Sequence, residues 1–239
     1  MLRTMVVSVL ALILGISCAH HPKGTPQELE KAYRAAIEDA RVAKPSEIVN
    51  DLVTLAPWNT DLLRSDQGEV RVVSWTNWNG YDELAGKRIS LARPVWVTVV
   101  PYLKNFCREC GLKGEALDMR LRQRLGLPPG AAKNRFVEFW VDPADLFRPS
   151  PDPEITDREA ELDFPVSTRF VTVSEGHRKW FNNQKKSSYS DQGYPWTRLG
   201  YTYDWGAKDH VGESEFVIRE GANVLVQGVT FTEGYCKKK

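Results

Sequence analysis

The sequence predicts an α+β fold, with helices in the N-terminal part and a mixed or antiparallel sheet concentrated in the C-terminal half. Two patterns support this fold class. Apolar residues recur with helical spacing between residues 26 and 43. The final third instead alternates strand-like runs with glycine-containing turns. A hydrophobic content of 42% with eight tryptophans supports a real core, so the chain is not a disordered segment.

The individual elements follow from local signals. A first helix opens at Pro26 and stops before Pro45, and Ser46 caps a second helix with an apolar stripe that reaches Leu55. Further helices are expected over 102–110, with Gly111 as C-cap, over 115–125, and after Ser174. Strands are expected over 69–78, 94–100, 135–141, 170–173, 199–205, 213–219 and 224–231.

The first residues form a secretory signal with a basic start, an apolar run of about a dozen residues and a small residue before Cys18. The run is too short for a membrane-spanning helix, which needs about 20 apolar residues. The end of the run resembles a bacterial lipobox, although Gly15 occupies the position where leucine is usual. This resemblance implies that Cys18 is lipidated and becomes the mature N-terminus. The plainer alternative is an ordinary signal peptide cut near Ala19.

These signals predict a signal peptide over 1–17, a lipidated tether over 18–27 and a single α+β domain over 28–239, helical to about residue 65. A lipoprotein of this kind is held at the bacterial cell envelope by its acyl chains, outside the cytoplasm. Removing residues 1–17 removes Arg3 and no acid, so the formal net charge falls from +1 to 0. A near-neutral chain with mixed charges is a poor candidate for nucleic-acid binding.

Three cysteines remain after Cys18, and they favour a disulfide. Cys236 is expected to pair with either Cys107 or Cys110, which leaves one thiol over. The Cys107-x-x-Cys110 spacing also suggests redox chemistry or half a zinc site. However, it stands at the end of its predicted helix, where the helix dipole disfavours a thiolate. A zinc site completed by His177 or His210 lacks a second spaced pair, so no metal is predicted.

The segment 213–226 (ESEFVIREGANVLV) resembles the E-x-E region of arginine-type ADP-ribosyltransferases. The resemblance implies that Glu215 is catalytic toward NAD, that Glu213 assists it, and that Arg71 on an early strand completes the site. Ser167-Thr168 is the nearest match to the family's serine-rich strand. The two glutamates share one face of their predicted strand. The alternative is an exposed strand edge that carries charge against aggregation.

A second candidate site consists of aromatic residues between the turns of the last third. Four aromatic side chains are expected to stack against a glycan or peptide: Trp196, Tyr201, Tyr203 and Trp205. The alternative is that these rings form core or sheet cover, since aromatic residues are favoured in strands. Binding within the envelope, without a cofactor, is therefore the leading function. An NAD-dependent transferase that uses Glu215 is the alternative.

Overall fold

The computed structural model describes residues 24–167 and 172–238. Over these residues the chain forms five α-helices and an eight-stranded antiparallel sheet, so the α+β prediction is confirmed. The helices are α1 (Pro26–Ala40), α2 (Tyr102–Cys110), α3 (Gly114–Arg124), α4 (Glu175–Ser188) and α5 (Thr232–Tyr235). The strands are β1 (Val70–Thr76), β2 (Arg88–Ser90), β3 (Val95–Val99), β4 (Arg135–Val141), β5 (Leu146–Phe147), β6 (Tyr201–Tyr203), β7 (Val211–Ile218) and β8 (Asn223–Phe231).

The strands follow the order β2-β8-β4-β1-β3-β7-β5, and β6 also pairs with β7. The sheet therefore begins well before the last third of the chain. Strand β7 pairs with β3 along one side and with β5 and β6 along the other, so it is not an edge strand. Glu215 is the cross-strand partner of Thr98, and Thr98 in turn faces Val73 of β1. This row of residues sets the floor of the cavity described below.

Local signals place the ends of several helices as the sequence predicts. The Thr25 hydroxyl accepts a hydrogen bond from the Glu28 amide, and the Glu28 carboxylate accepts one from the Thr25 amide, which forms a capping box before α1. Gly111 takes the left-handed conformation after α2, at φ 64°. The Ser174 hydroxyl caps α4 by accepting from the His177 amide.

The predicted second helix after Ser46 is wrong. Only one 3-10 turn forms, over Pro45–Glu47, and α1 already ends at Ala40, so the chain is not helical up to residue 65. The amides of Leu52 and Leu55 donate to carbonyls of the distant segment 155–158. An extended segment satisfies these groups through non-local partners, and the side chains of Leu52 and Leu55 are still buried. The predicted strand over 170–173 lies partly outside the described residues.

The two faces of the sheet bury separate clusters. One face packs Val70 and Val72 of β1 and the valines of β3 against Phe216 and Ile218 of β7. On the other face, Val73 and Trp75 contact α2, α3 and α5. Helix α4 reaches this same side through Trp180, which packs against Trp96 of β3. Helix α1 lies further out, on Met119, Tyr203 and Trp205.

A disulfide joins Cys107 of α2 to Cys236 after α5, and Cys110 stays outside it. This confirms the predicted disulfide and selects one of its two candidate pairings. The bond closes a loop of 129 residues, which stabilises the fold by about 5 kcal/mol on the loop-entropy argument. The Cys3His zinc alternative is therefore wrong, because two of its three thiols are bonded to each other.

Candidate functional site

A cavity of about 400 Å³ opens between the helix-covered face of the sheet and the chain around Trp196. Strands β1, β3 and β7 form its floor, and the loop after α3, the end of α4 and the segment 194–196 form its walls. A volume of this size falls within the range of small-molecule sites in proteins. Glu215 is the one acidic residue among the residues that line it.

Glu215 is held rigidly at the buried end of this cavity. Its amide donates to the Gly200 carbonyl, with 3.0 Å between nitrogen and oxygen. Gly200 is left-handed at φ 77°, and a Cβ there would stand 2.7 Å from Cδ of the buried Arg148. Glycine is therefore required at this turn. Only 6% of Glu215 is exposed, so the carboxyl group is removed from bulk water.

Trp196 is fixed beside Glu215 from several directions. Its carbonyl accepts a hydrogen bond of 2.6 Å from the Tyr189 hydroxyl. Its indole lies edge-on to Trp96 and Trp180, each with 6.1 Å between ring centroids, and 5.1 Å from the Phe181 ring. Contacts on this scale lock the orientation of the ring. The indole N–H is therefore a preorganised donor in the cavity wall.

Burial raises the pKa of Glu215 to about 8, while the neighbouring Trp196 N–H and the Arg148 guanidinium oppose this shift only in part. At neutral pH the side chain is therefore mainly the uncharged acid, which can donate as well as accept a hydrogen bond. A pKa near the working pH is typical of functional carboxyl groups, though buried structural groups share it.

Three polar atoms at this end have no hydrogen-bond partner within residues 24–167 and 172–238. They are Oγ1 of Thr98, Oε1 of Glu215 and Nε1 of Trp196; the Trp196 N–H lies close enough to the Glu215 carboxyl group to lower its pKa, but not in regular hydrogen-bond geometry. All three residues line the cavity and are more than nine-tenths buried. A buried polar group without a partner costs about 1–3 kcal/mol. Three such groups facing one space point to a ligand that supplies the missing hydrogen bonds.

The opposite end of the cavity reaches solvent. The lining residues there include Trp78 and Tyr194, which are about half exposed, together with exposed Arg93. The Arg93 guanidinium lies over the Trp78 ring, 5.8 Å from its centroid. Half-buried Lys133 also lines the cavity, and burial lowers its pKa. The cavity thus has an aromatic, basic mouth and a buried, hydrogen-bonding end.

Glu213 shares the strand face with Glu215, as predicted, but it does not line the cavity. Its carboxylate bonds Nε of Arg124 at 2.8 Å. Asp204 completes the cluster: it accepts two hydrogen bonds of 2.8 and 2.7 Å from Arg120 and lies 3.6 Å from Arg124. Both glutamates are buried, so the exposed strand edge considered as an alternative is wrong.

Arg71 does not reach Glu215. Its guanidinium pairs with the buried Glu138 and lies over the Trp140 ring, 5.3 Å from the ring centroid. It is absent from the cavity lining, so the described structure does not bring the three predicted catalytic residues together in one cleft. Of the predicted serine-rich strand, Ser167 is described and Thr168 lies outside the described residues. The same holds for Cys18, whose predicted lipidation falls outside them.

The predicted exposed stacking platform is wrong, because its four rings are all buried. Trp196 and Tyr203 line the cavity. Tyr201 instead donates to the Glu47 carbonyl at 2.8 Å, and Trp205 donates to the Leu127 carbonyl at 3.0 Å. Trp205 packs against α1 and α3, and Tyr201 packs with Leu52, Ala160 and Leu199, so both are core residues, as the alternative expected.

Sequence reasoning missed Thr98, Arg93 and Lys133. Thr98 carried a usable signal, because it is the single polar residue within the apolar strand 94–100 (PVWVTVV). A hydroxyl at the centre of a strand buried on both faces needs a partner. Arg93 and Lys133 carried no such signal, since both stand in polar loop sequence. Only the tertiary fold brings them to the cavity.

Comparison of the chain with protein-family models, with curated proteins and with solved structures finds no match. Across the described part of the chain, no three histidine, cysteine, aspartate or glutamate side chains are grouped so that they could hold a metal ion. No helix there combines the length and the apolar character needed to cross a bilayer.

Proposed function

We propose that this protein is an envelope lipoprotein, anchored through acyl chains on Cys18, that binds a small organic molecule in the cavity around Glu215. The observation that carries the binding proposal is the group of three unpartnered polar atoms of Glu215, Trp196 and Thr98 at the buried end of the cavity. A ligand with a group that can both accept and donate hydrogen bonds would satisfy the indole N–H, the hydroxyl and the carboxyl at once.

The disulfide supports the location outside the cytoplasm. Cys107 and Cys236 are bonded, and such bonds persist mainly in oxidising compartments. The anchor follows from the signal sequence that ends at Cys18. We expect the wild-type chain expressed in bacteria to fractionate with the membrane and to incorporate labelled palmitate, and the Cys18→Ser variant to do neither.

Binding is favoured over the NAD-dependent transferase alternative for two reasons. A glutamate that stabilises an oxocarbenium-like transition state must be ionised, and the raised pKa of Glu215 keeps it mainly neutral at pH 7. Arg71, the arginine predicted for the transferase site, also pairs with Glu138 instead and does not line the cavity. Thr98 beside Glu215 is the one feature that fits the transferase.

The test is native mass spectrometry of the full-length protein, purified from its membrane in detergent. We expect a bound organic molecule on the wild-type chain, because a preorganised cavity with unsatisfied polar groups retains its ligand. Occupancy should fall at least about tenfold in the Thr98→Val and Glu215→Leu variants, since each removes a hydrogen-bonding partner and leaves the ligand's polar group unpaired. Glu220→Leu, which changes an exposed glutamate beyond β7, is the matched control and should keep full occupancy.

Two results would overturn the proposal. One is a wild-type protein that binds no molecule from a bacterial extract and shows no change in tryptophan fluorescence on exposure to it. Trp75, Trp78, Trp96 and Trp196 all line the cavity, so a ligand there must alter their emission. The other is turnover of NAD that disappears in Glu215→Gln, which would favour the transferase.

A further inference from the structure

The charges around the cavity are unequal in a way that bears on the ligand. Its lining contains two basic residues, Arg93 and Lys133, and one acidic residue, Glu215, which is mainly uncharged at neutral pH. Among residues 24–167 and 172–238, neither Arg93 nor Lys133 forms an ion pair with an acidic side chain, whereas Arg71, Lys104, Arg124 and Arg135 each do. The mouth of the cavity therefore carries positive charge that the protein itself leaves unneutralised.

The two ends of the cavity are chemically different. Thr98, Trp196 and Glu215 lie at the closed end and offer hydrogen bonds from buried groups. Arg93 and Trp78 lie at the exposed end. A molecule that fills the cavity from end to end therefore needs two different polar groups. One must face the positive charge at the exposed end, and the other must form hydrogen bonds with the buried groups at the closed end.

The walls between these ends are largely aromatic and aliphatic. They include Trp75, Tyr81, Trp96, Leu103, Leu125 and Tyr203. Surfaces of this kind favour a flat apolar body, which gains from ring contacts and from loss of water-exposed area. The Tyr81 ring also packs edge-on against Trp78, with 4.6 Å between centroids, so the aromatic lining continues to the mouth.

Building on the proposed binding function, we infer that the ligand is an amphipathic organic anion: a flat apolar body with an anionic group at the mouth and a hydroxyl or amide group at the buried end. Arg93 and Lys133 would neutralise the anion, and an arginine can do so with two parallel hydrogen bonds. Thr98, Trp196 and Glu215 would bond the uncharged polar group. A cationic amine fits less well, because the indole N–H is a donor only.

The test uses three probes of matched shape in isothermal titration calorimetry on the full-length protein in detergent. They are 6-hydroxy-2-naphthoate, 2-naphthoate, which lacks the hydroxyl, and 2-naphthol, which lacks the carboxylate. We expect the first to bind at least about tenfold more tightly than either of the others, because each lost hydrogen bond to a buried or charged group weakens binding by about that factor.

Variants assign each end of the probe. Arg93→Gln combined with Lys133→Gln should lower the affinity for the two probes that carry a carboxylate at least about tenfold. The affinity for 2-naphthol should not change. Thr98→Val should remove the tighter binding of 6-hydroxy-2-naphthoate relative to 2-naphthoate. The affinity for 2-naphthoate itself should not change. Arg158→Gln with Lys87→Gln, on exposed positions outside the cavity lining, is the matched charge control. Thermal unfolding of each variant checks that the fold is intact.

The outcomes separate this inference from the proposed function. Equal affinities for 2-naphthol and the two carboxylate probes would overturn the inference of an anionic ligand, but they would not contradict the proposed binding function. A co-purified ligand without an anionic group would do the same. Failure of all three probes to bind also overturns the inference, and if the native protein carries no ligand either, the proposed function fails with it.

Discussion

Glu213 and Glu215 lie two residues apart on one face of β7, yet the surroundings of their carboxyl groups are opposite in kind. Glu213 belongs to a cluster of two arginines and two acids, with Arg124 at 2.8 Å. Glu215 faces a cavity, and its Oε1 has no hydrogen-bond partner among the described residues. Both side chains are almost completely buried.

The difference shows that burial alone does not tell a structural acid from a functional one. A buried carboxylate with paired arginines satisfies its own charge, and it holds α3 to the sheet. A buried carboxyl group without a partner costs stability and is retained only if something else uses it. The two glutamates therefore serve as internal controls for each other, and three experiments can test or refine the contrast.

The largest expected effect is the pH dependence of stability that Glu215 imposes. Its pKa is about 8 in the folded protein and 4.5 as the reference value, so the folded state holds a proton that the unfolded state releases between these values. The contribution of this group to the free energy of unfolding is therefore fully present below pH 4.5. It is lost as the pH rises toward 8, by at most about 5 kcal/mol in total. A glutamine side chain at this position does not titrate, so Glu215→Gln removes this pH dependence.

Urea unfolding of wild-type protein and Glu215→Gln across pH 4 to 9 measures this difference. The two should have similar stability at pH 4, and the variant should become progressively more stable than wild type up to about pH 8, with no further change above it. A difference between the two that does not vary with pH would mean that Glu215 is ionised in the fold, and the contrast with Glu213 would collapse.

The next effect is the loss of the ion-pair cluster. Glu213→Gln leaves the Arg124 guanidinium without its closest acidic partner in a buried site, so we expect a loss of about 3 kcal/mol in the free energy of unfolding at pH 7. Glu215→Gln, the same chemical change two residues away, should cause no loss. Chemical denaturation of the two variants in parallel is the measurement, and equal losses would contradict the distinction.

The sequence predicted part of this arrangement because strand geometry is local. Alternation along a strand places Glu213 and Glu215 on one face and Phe216 on the other, and the structure has them so. Alternation cannot reveal what covers that face. Arg124 and Trp196 come from an earlier helix and a separate loop, so whether each glutamate is paired depends on non-local packing.

The same limit explains the largest error in the fold. The apolar residues from Ile48 to Leu55 suit a helix by their spacing, but the amides of Leu52 and Leu55 bond to carbonyls of the distant segment 155–158. Local periodicity gave no information on that partner. The predicted helix start after Ser174 and the predicted C-cap at Gly111 were reliable because the groups involved lie within a few residues of each other.

The smallest expected effect compares two buried threonines that both line the cavity. The Thr202 hydroxyl donates to the Arg124 carbonyl at 2.7 Å and accepts from the Glu213 amide at 2.8 Å, so it belongs to the Glu213 side of the contrast. The Thr98 hydroxyl, beside Glu215, has no partner among the described residues. Valine has nearly the shape of threonine without the hydroxyl, so it removes only these bonds.

In ligand-free protein, Thr202→Val should lower the free energy of unfolding by about 1–3 kcal/mol, because it leaves a buried amide and carbonyl unsatisfied. Thr98→Val should change it by less than about 1 kcal/mol or raise it, since it removes an unsatisfied group. Adding the cavity ligand should stabilise wild type more than Thr98→Val, because the bound state alone gives that hydroxyl a partner. If both substitutions were equally damaging without ligand, the Thr98 hydroxyl would already be bonded in the free protein, and the case for a vacant hydrogen-bonding end would be lost.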